Sequence, residues 1–165
     1  MRDVSRRMQQ SISCVSPAVV GYVPAAANTY SVSLRGQGSS ERFLRLPGGS
    51  GVDFSTRYRV AQEPGERVWS ATISAYRYSL SDHDGNEVLS YHWHPDTYSH
   101  VTTPHLHIGG GVAVWRPDLA KAHIPTGMVT LDAVLLLAIE ELALDVQPLR
   151  AEWRAILTGT RDDIP

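Results

Sequence analysis

Two periodicities divide this chain. From about residue 29 to residue 108, apolar and polar positions alternate in short runs, the period-2 pattern of half-buried strands. Beyond residue 130, apolar positions recur every three to four residues, the period of an amphipathic helix. Tyr30, Val32 and Leu34 alternate with Ser31 and Ser33, which predicts a strand over Thr29–Leu34. Gly36-Gln37-Gly38-Ser39-Ser40 then reads as a loop, Arg42–Leu46 as a short strand, and Pro47-Gly48-Gly49-Ser50-Gly51 as its stop. Thr56–Val60 predicts another strand, ended by a turn at Glu63-Pro64-Gly65-Glu66. The clearest hairpin follows. Val68–Leu80 is rich in β-branched and aromatic residues, Asp84-Gly85 supplies a turn that accepts positive φ, and Glu87–His94 returns. Pro95 ends that strand, because it has no amide hydrogen for a ladder. His105–Ile108 is one more short strand, separated by Gly109-Gly110-Gly111 from Val112-Ala113-Val114-Trp115.

Leu131, Val134, Leu135, Ala138, Ile139 and Leu142 predict a helix over Leu131–Leu142, with Thr130 as its N-cap and Asp132 in its first turn. Leu136 and Leu137 widen its apolar face, through deep burial or as a surface for a partner or a second copy. A second helix is expected from Pro148, a good first-turn residue, to Leu157, with Leu149, Trp153, Ile156 and Leu157 inward. Residues 1–28 read as an N-terminal arm or short helix, and residues 29–160 as a single domain. Strands followed by helices give an α+β fold, a mainly antiparallel sheet with two C-terminal helices packed on one face.

Composition narrows the class. The chain has 165 residues, 42% of them hydrophobic, enough for one domain with a real core. A formal net charge of −2 gives no global attraction to nucleic acid or anionic lipid. The single Cys14 excludes an internal disulfide and a thiolate zinc site. No apolar run is long enough for a signal peptide or a membrane span. A cytoplasmic protein without membrane association is expected.

The candidate chemistry lies in the histidines. Five of the seven, His92, His94, His100, His105 and His107, fall within sixteen residues. In a strand, residues two apart share a face. His92 and His94 therefore project together, away from Tyr91 and Trp93, and His105 and His107 do so against Leu106 and Ile108. If the two segments are neighbours in the sheet, four imidazoles line one patch. Three uses of that patch stay open: a transition metal such as zinc held by His92, His94, His105 and His107; metal-free acid–base catalysis, with no cofactor; or polar filling of a half-solvated sheet face. RNA suits the second, since it carries its own 2′-hydroxyl nucleophile. His105 and His107 are then the first acid–base candidates and His92 and His94 the second. Arg77, Arg59 and Tyr91 are candidate substrate contacts, because guanidinium groups match phosphate oxygens and tyrosine rings stack on bases. The glycine-rich loops lack a Walker-type lysine and are not read as phosphate cradles.

The order of features between Tyr76 and Leu157 also resembles a known group. It runs Tyr-x-Tyr, an acidic-glycine turn, Tyr91-His92-Trp93-His94-Pro95, Pro104-His105-Leu106-His107-Ile108-Gly109, Pro125-Thr126-Gly127 and a Leu/Val-rich helix. This resembles small proteins of bacteria and their phages and, more distantly, is similar to the TumE-like toxins of type II toxin–antitoxin systems. Tyr91, His92, His94, Pro104, His105 and His107 carry the match, over about half the chain, while Trp93 and the triple glycine depart from it. The resemblance implies a toxin-like protein, a ribonuclease or translation inhibitor, neutralised by an antitoxin. The Leu131–Leu142 helix is the surface expected to meet such a partner. A metal-binding module or metalloenzyme and a non-enzymatic interaction or inhibitor protein are the alternatives.

Overall fold

The computed structural model describes the chain except for residues 36–43, 47, 63–64, 66–67, 98–99, 111–118, 120–121, 143–147 and 160–165. Tyr98, the Gly36–Ser40 loop and the Val112–Trp115 segment lie outside the described residues. Helix α1 spans Arg2–Ile12 and is followed by strands β1 Val19–Ala26, β2 Thr29–Arg35, β3 Leu44–Arg45, β4 Gly51–Gln62, β5 Trp69–Ser81, β6 Glu87–Trp93, β7 His105–Ile108 and β8 Ile124–Pro125. Helices α2, Leu131–Glu140, and α3, Trp153–Thr158, complete the described elements. The eight described strands join one sheet in the order β1-β2-β4-β5-β6-β7-β8, with β3 paired to the start of β4. Every pairing is antiparallel. This is the expected α+β fold: a mainly antiparallel sheet followed by C-terminal helices.

Residues 1–28, read as an arm or short helix, hold a packed short helix at Arg2–Ile12 and also β1, a strand of the sheet that this reading did not include. Met8 and Ile12 share a face of α1 by their four-residue spacing, and both are buried with Cys14 and Val15 just beyond the helix. The Gln9 side chain then ties the helix to the start of β1: its amide nitrogen donates to Ala18 O at 2.9 Å and its carbonyl accepts from Val20 N at 2.7 Å. β1 tolerates Pro24 because it is an edge strand.

Several boundaries differ from expectation; β6 ends at Trp93, one residue before His94, and three others have a clear cause. The strand expected at Thr56–Val60 is the middle of the 12-residue β4, because Val52 and Phe54 continue its buried face into the region that the glycines marked as a turn. The second C-terminal helix starts at Trp153 rather than Pro148. Leu149 N donates to Cys14 O at 2.7 Å and Arg150 ion-pairs with Glu152. That ties residues 149–152 to the end of α1, and Leu149 is exposed. Helix α2 stops at Glu140, two residues early, and Leu142 N turns back to Leu137 O at 3.1 Å. Its N-terminus is as expected, with Thr130 Oγ1 accepting from Ala133 N.

The sheet has two unlike faces. Val52, Phe54, Tyr76, Tyr78, Leu80 and Leu89 form the buried face, closed by Leu131, Val134, Leu135 and Ala138 of α2. Leu136 and Leu137 pack against the same core, so the width of that helix face is used within the chain. Tyr76 and Tyr78 stack with ring centroids 4.8 Å apart, and Tyr76 Oη accepts from Val129 N at 3.2 Å, fixing the approach to α2. The opposite face of β4 to β7 is polar. It carries two rows across the strands, set by the register: Ser55–Arg77–His92–His105 and Asp53–Ser79–Ser90–His107.

Candidate metal centre

The hairpin between β5 and β6 aligns these rows. Asp82 Oδ1 accepts from Asp84 N at 3.0 Å and Asn86 N at 2.9 Å, and Gly85 takes a φ of 82°. Those hydrogen bonds favour the ionised form and hold the Asp82 carboxyl below its ordinary pKa. The β6–β7 pairing then brings together the two histidine pairs that alternation predicts. His92 lies directly opposite His105, and Ser90 opposite His107. At the end of β7, Gly109 N donates to Val88 O at 2.8 Å.

The four expected histidines are on one face and in ring contact. His105 is at the centre, with centroid distances of 5.7 Å to His92, 5.5 Å to His94 and 4.9 Å to His107, and His92 is 4.7 Å from His107. His123, outside both histidine pairs in sequence, joins them at 5.1 Å from His105 and 4.5 Å from His107. His100, on the loop before β7, is 5.8 Å from His123. Six of the seven histidines thus form one connected set. His83 stands apart, against Gly49.

Within the set, His92, His105 and His107 each present a ligand atom, all within 4.8 Å of one another. His105 is the informative member, at 1% exposure. Its Nδ1 lies 2.8 Å from Thr103 O. A carbonyl can only accept, so Nδ1 carries the hydrogen, and in the neutral tautomer that this fixes the lone pair is on Nε2. That Nε2 is buried and, among the described residues, has no hydrogen-bond partner. Leaving such an atom unpaired costs about 1–3 kcal/mol.

His92 is held from behind. Its Nε2 is 2.7 Å from Ser90 Oγ, which is 2.5 Å from Ser79 Oγ, and both serines are completely buried. Burial, with repulsion from His107, His105, His94 and Arg77, pushes the His92 pKa down to about 3. Burial foremost, then His123, His105 and His94, also lowers that of His107. Both rings are therefore neutral at neutral pH, the form that binds a metal. Zinc sits about 2.0–2.1 Å from an imidazole nitrogen. Three nitrogens around one ion would lie about 3.3–3.4 Å apart in tetrahedral geometry, closer than the 4.8 Å within which the ligand atoms of the cluster lie.

The three expected substrate contacts separate. Arg77 is on the histidine face opposite His92 and forms an ion pair with Asp53. Tyr91 does not join it: alternation turns that ring to the other face, where it packs on the core beside Tyr78. Arg59 follows the bulge in β4 and lines a different groove, with Ser74, Pro95 and Asp96. The Ser79–Ser90 support and Asp53 carried no recognisable sequence signal, because serine and aspartate are ordinary on a polar strand face. Among the described residues no helix is long and apolar enough to cross a membrane. Comparison with protein-family models, curated proteins and solved structures gave no match.

Proposed function

We propose that the protein is a transition-metal-binding protein, with His92, His105 and His107 as ligands and zinc as the best-suited ion. The observation that carries this reading is the buried Nε2 of His105, oriented by the Nδ1 bond to Thr103 O and without a partner of its own among the described residues. A ring nitrogen hydrogen-bonded to a backbone carbonyl, with the other nitrogen free, is the usual arrangement of a metal-ligating histidine. Three imidazoles leave a fourth position for water or substrate, which distinguishes catalytic from structural zinc sites. A bound zinc would supply Lewis acidity and a water ionisable near neutral pH.

The toxin-like, metal-free ribonuclease reading uses the same rings and is the weaker of the two. Acid–base cleavage needs one imidazole charged as the acid, and the surroundings of His92 and His107 disfavour the charged form. An antitoxin or a second copy of the chain as partner rests on the resemblance alone. The deciding experiment is elemental analysis of untagged protein, followed by cobalt(II) titration read by visible absorption. One equivalent of metal, lost or weakened at least about 100-fold in His105→Ala, is expected. Protein without stoichiometric metal, or a His105→Ala variant binding cobalt as tightly as the parent, would overturn the proposal. Metal-independent RNA cleavage abolished by His105→Ala with His107→Ala would favour the ribonuclease instead.

A further inference from the structure

The polar face continues past the histidines into a groove of about 290 Å³ bordered by Ser55, Arg57, Ala75, Arg77 and His94. His94 belongs to both regions. It lines the groove and its ring lies 5.9 Å from that of His92 and 5.5 Å from that of His105. The two guanidinium groups of the groove differ in state. Arg77 is neutralised by Asp53. Arg57, one residue pair further along β4 and opposite Ala75, is exposed, and no ion pair engages it among the described residues. A small side chain opposite a free arginine leaves room above the strand, and the Ser55 hydroxyl stands two residues away on the same face.

We infer that this groove is the substrate subsite of the metal centre and binds the oxyanion of a small molecule, a carboxylate or a phosphate, through Arg57 and Ser55. The inference rests on the proposed metal site. Arginine presents a planar fork of donors matched to two oxygens of such a group. The rest of the molecule would lie over Ala75 toward His94, placing its reacting bond beside the fourth position of the metal. Arg77 does not serve as the anchor, since an incoming anion would have to displace Asp53. The substrate class is thus a small anion bound at one end and acted on at the other.

Calorimetric titration of zinc-loaded protein with inorganic phosphate and, separately, with acetate tests this, with zinc content measured on the same samples. Either anion should bind, and the tighter one identifies the group. Arg57→Gln should weaken that binding at least about tenfold, the loss expected for a charge-assisted hydrogen bond, with zinc content unchanged. Zinc retained, but no anion binding or binding indifferent to Arg57→Gln, overturns the subsite and leaves the metal reading standing. Parent protein that takes up no zinc overturns both.

Discussion

Gly109 joins the fold to the candidate site. It follows β7, and a Cβ built on it would lie 1.5 Å from Glu87 O, 2.2 Å from the Glu87 carbonyl carbon and 2.8 Å from Val88 N. All three contacts are backbone, so no side chain can swing aside. Cβ atoms essentially never come within 3.0 Å of a heavy atom outside their own residue and its chain neighbours, so Gly109→Ala must separate β7 from β6 by about 1.5 Å at this point. The Gly109 N to Val88 O hydrogen bond, 2.8 Å long, is lost with that movement. A lost hydrogen bond costs about 1 kcal/mol and overpacking about 1–3 kcal/mol, so destabilisation of about 2–4 kcal/mol is expected. The displacement also carries His107 and His105 away from His92. Binding sites tolerate about 0.5 Å of such error, so zinc affinity should fall at least tenfold in the folded variant. Urea denaturation measures the first quantity and cobalt(II) titration the second. Gly110→Ala is the internal control, because nothing lies within 4 Å of its added Cβ, and it should stay within about 0.5 kcal/mol of the parent. A Gly109→Ala protein as stable as the Gly110→Ala protein, with unchanged cobalt affinity, would refute the account of how β7 is seated.

Two further expectations follow from particular side chains. Ser90→Ala removes the hydroxyl 2.7 Å from His92 Nε2; loss of such support weakens metal binding about 10- to 100-fold, and an unchanged affinity in competition with a calibrated chelator would remove Ser90 from the site. Asp132, at the start of α2, has its pKa raised by burial, a shift that Ser11 and Arg7 only partly oppose. The folded state therefore holds the proton more tightly than the unfolded state does. The resulting stability is complete below about pH 3.8 and is lost as pH rises through the folded-state value. Asp132→Asn should accordingly gain stability relative to the parent at pH 7 and lose that advantage at pH 3. Equal differences at the two pH values, from urea curves, would contradict the sign.

What could be read from the chain follows from which interactions are local. Strand alternation is local, so the common face of His92 with His94, and of His105 with His107, was legible without a structure. The antiparallel order was legible in part, because Asp84-Gly85 fixes one hairpin through its own turn. The buried start of β4 was not, since Gly51 and Ser50 look like loop residues until Val52 and Phe54 find their partners Leu80 and Tyr78 across the sheet. Tyr91 shows the opposite error: its residue type suggested stacking on a base, although the period that aligns the histidines also turns Tyr91 away from them. The decisive feature of the site was illegible for the same reason. Nothing in Thr103-Pro104-His105 says that the Thr103 carbonyl will take the Nδ1 hydrogen, or that the buried Nε2 will have no partner among the described residues. His123 is sixteen residues beyond His107 and reaches the cluster at the end of the sheet where β8 pairs with β7. A repeated histidine spacing therefore locates a surface, whereas the metal reading depends on one buried nitrogen whose environment is assembled by the fold.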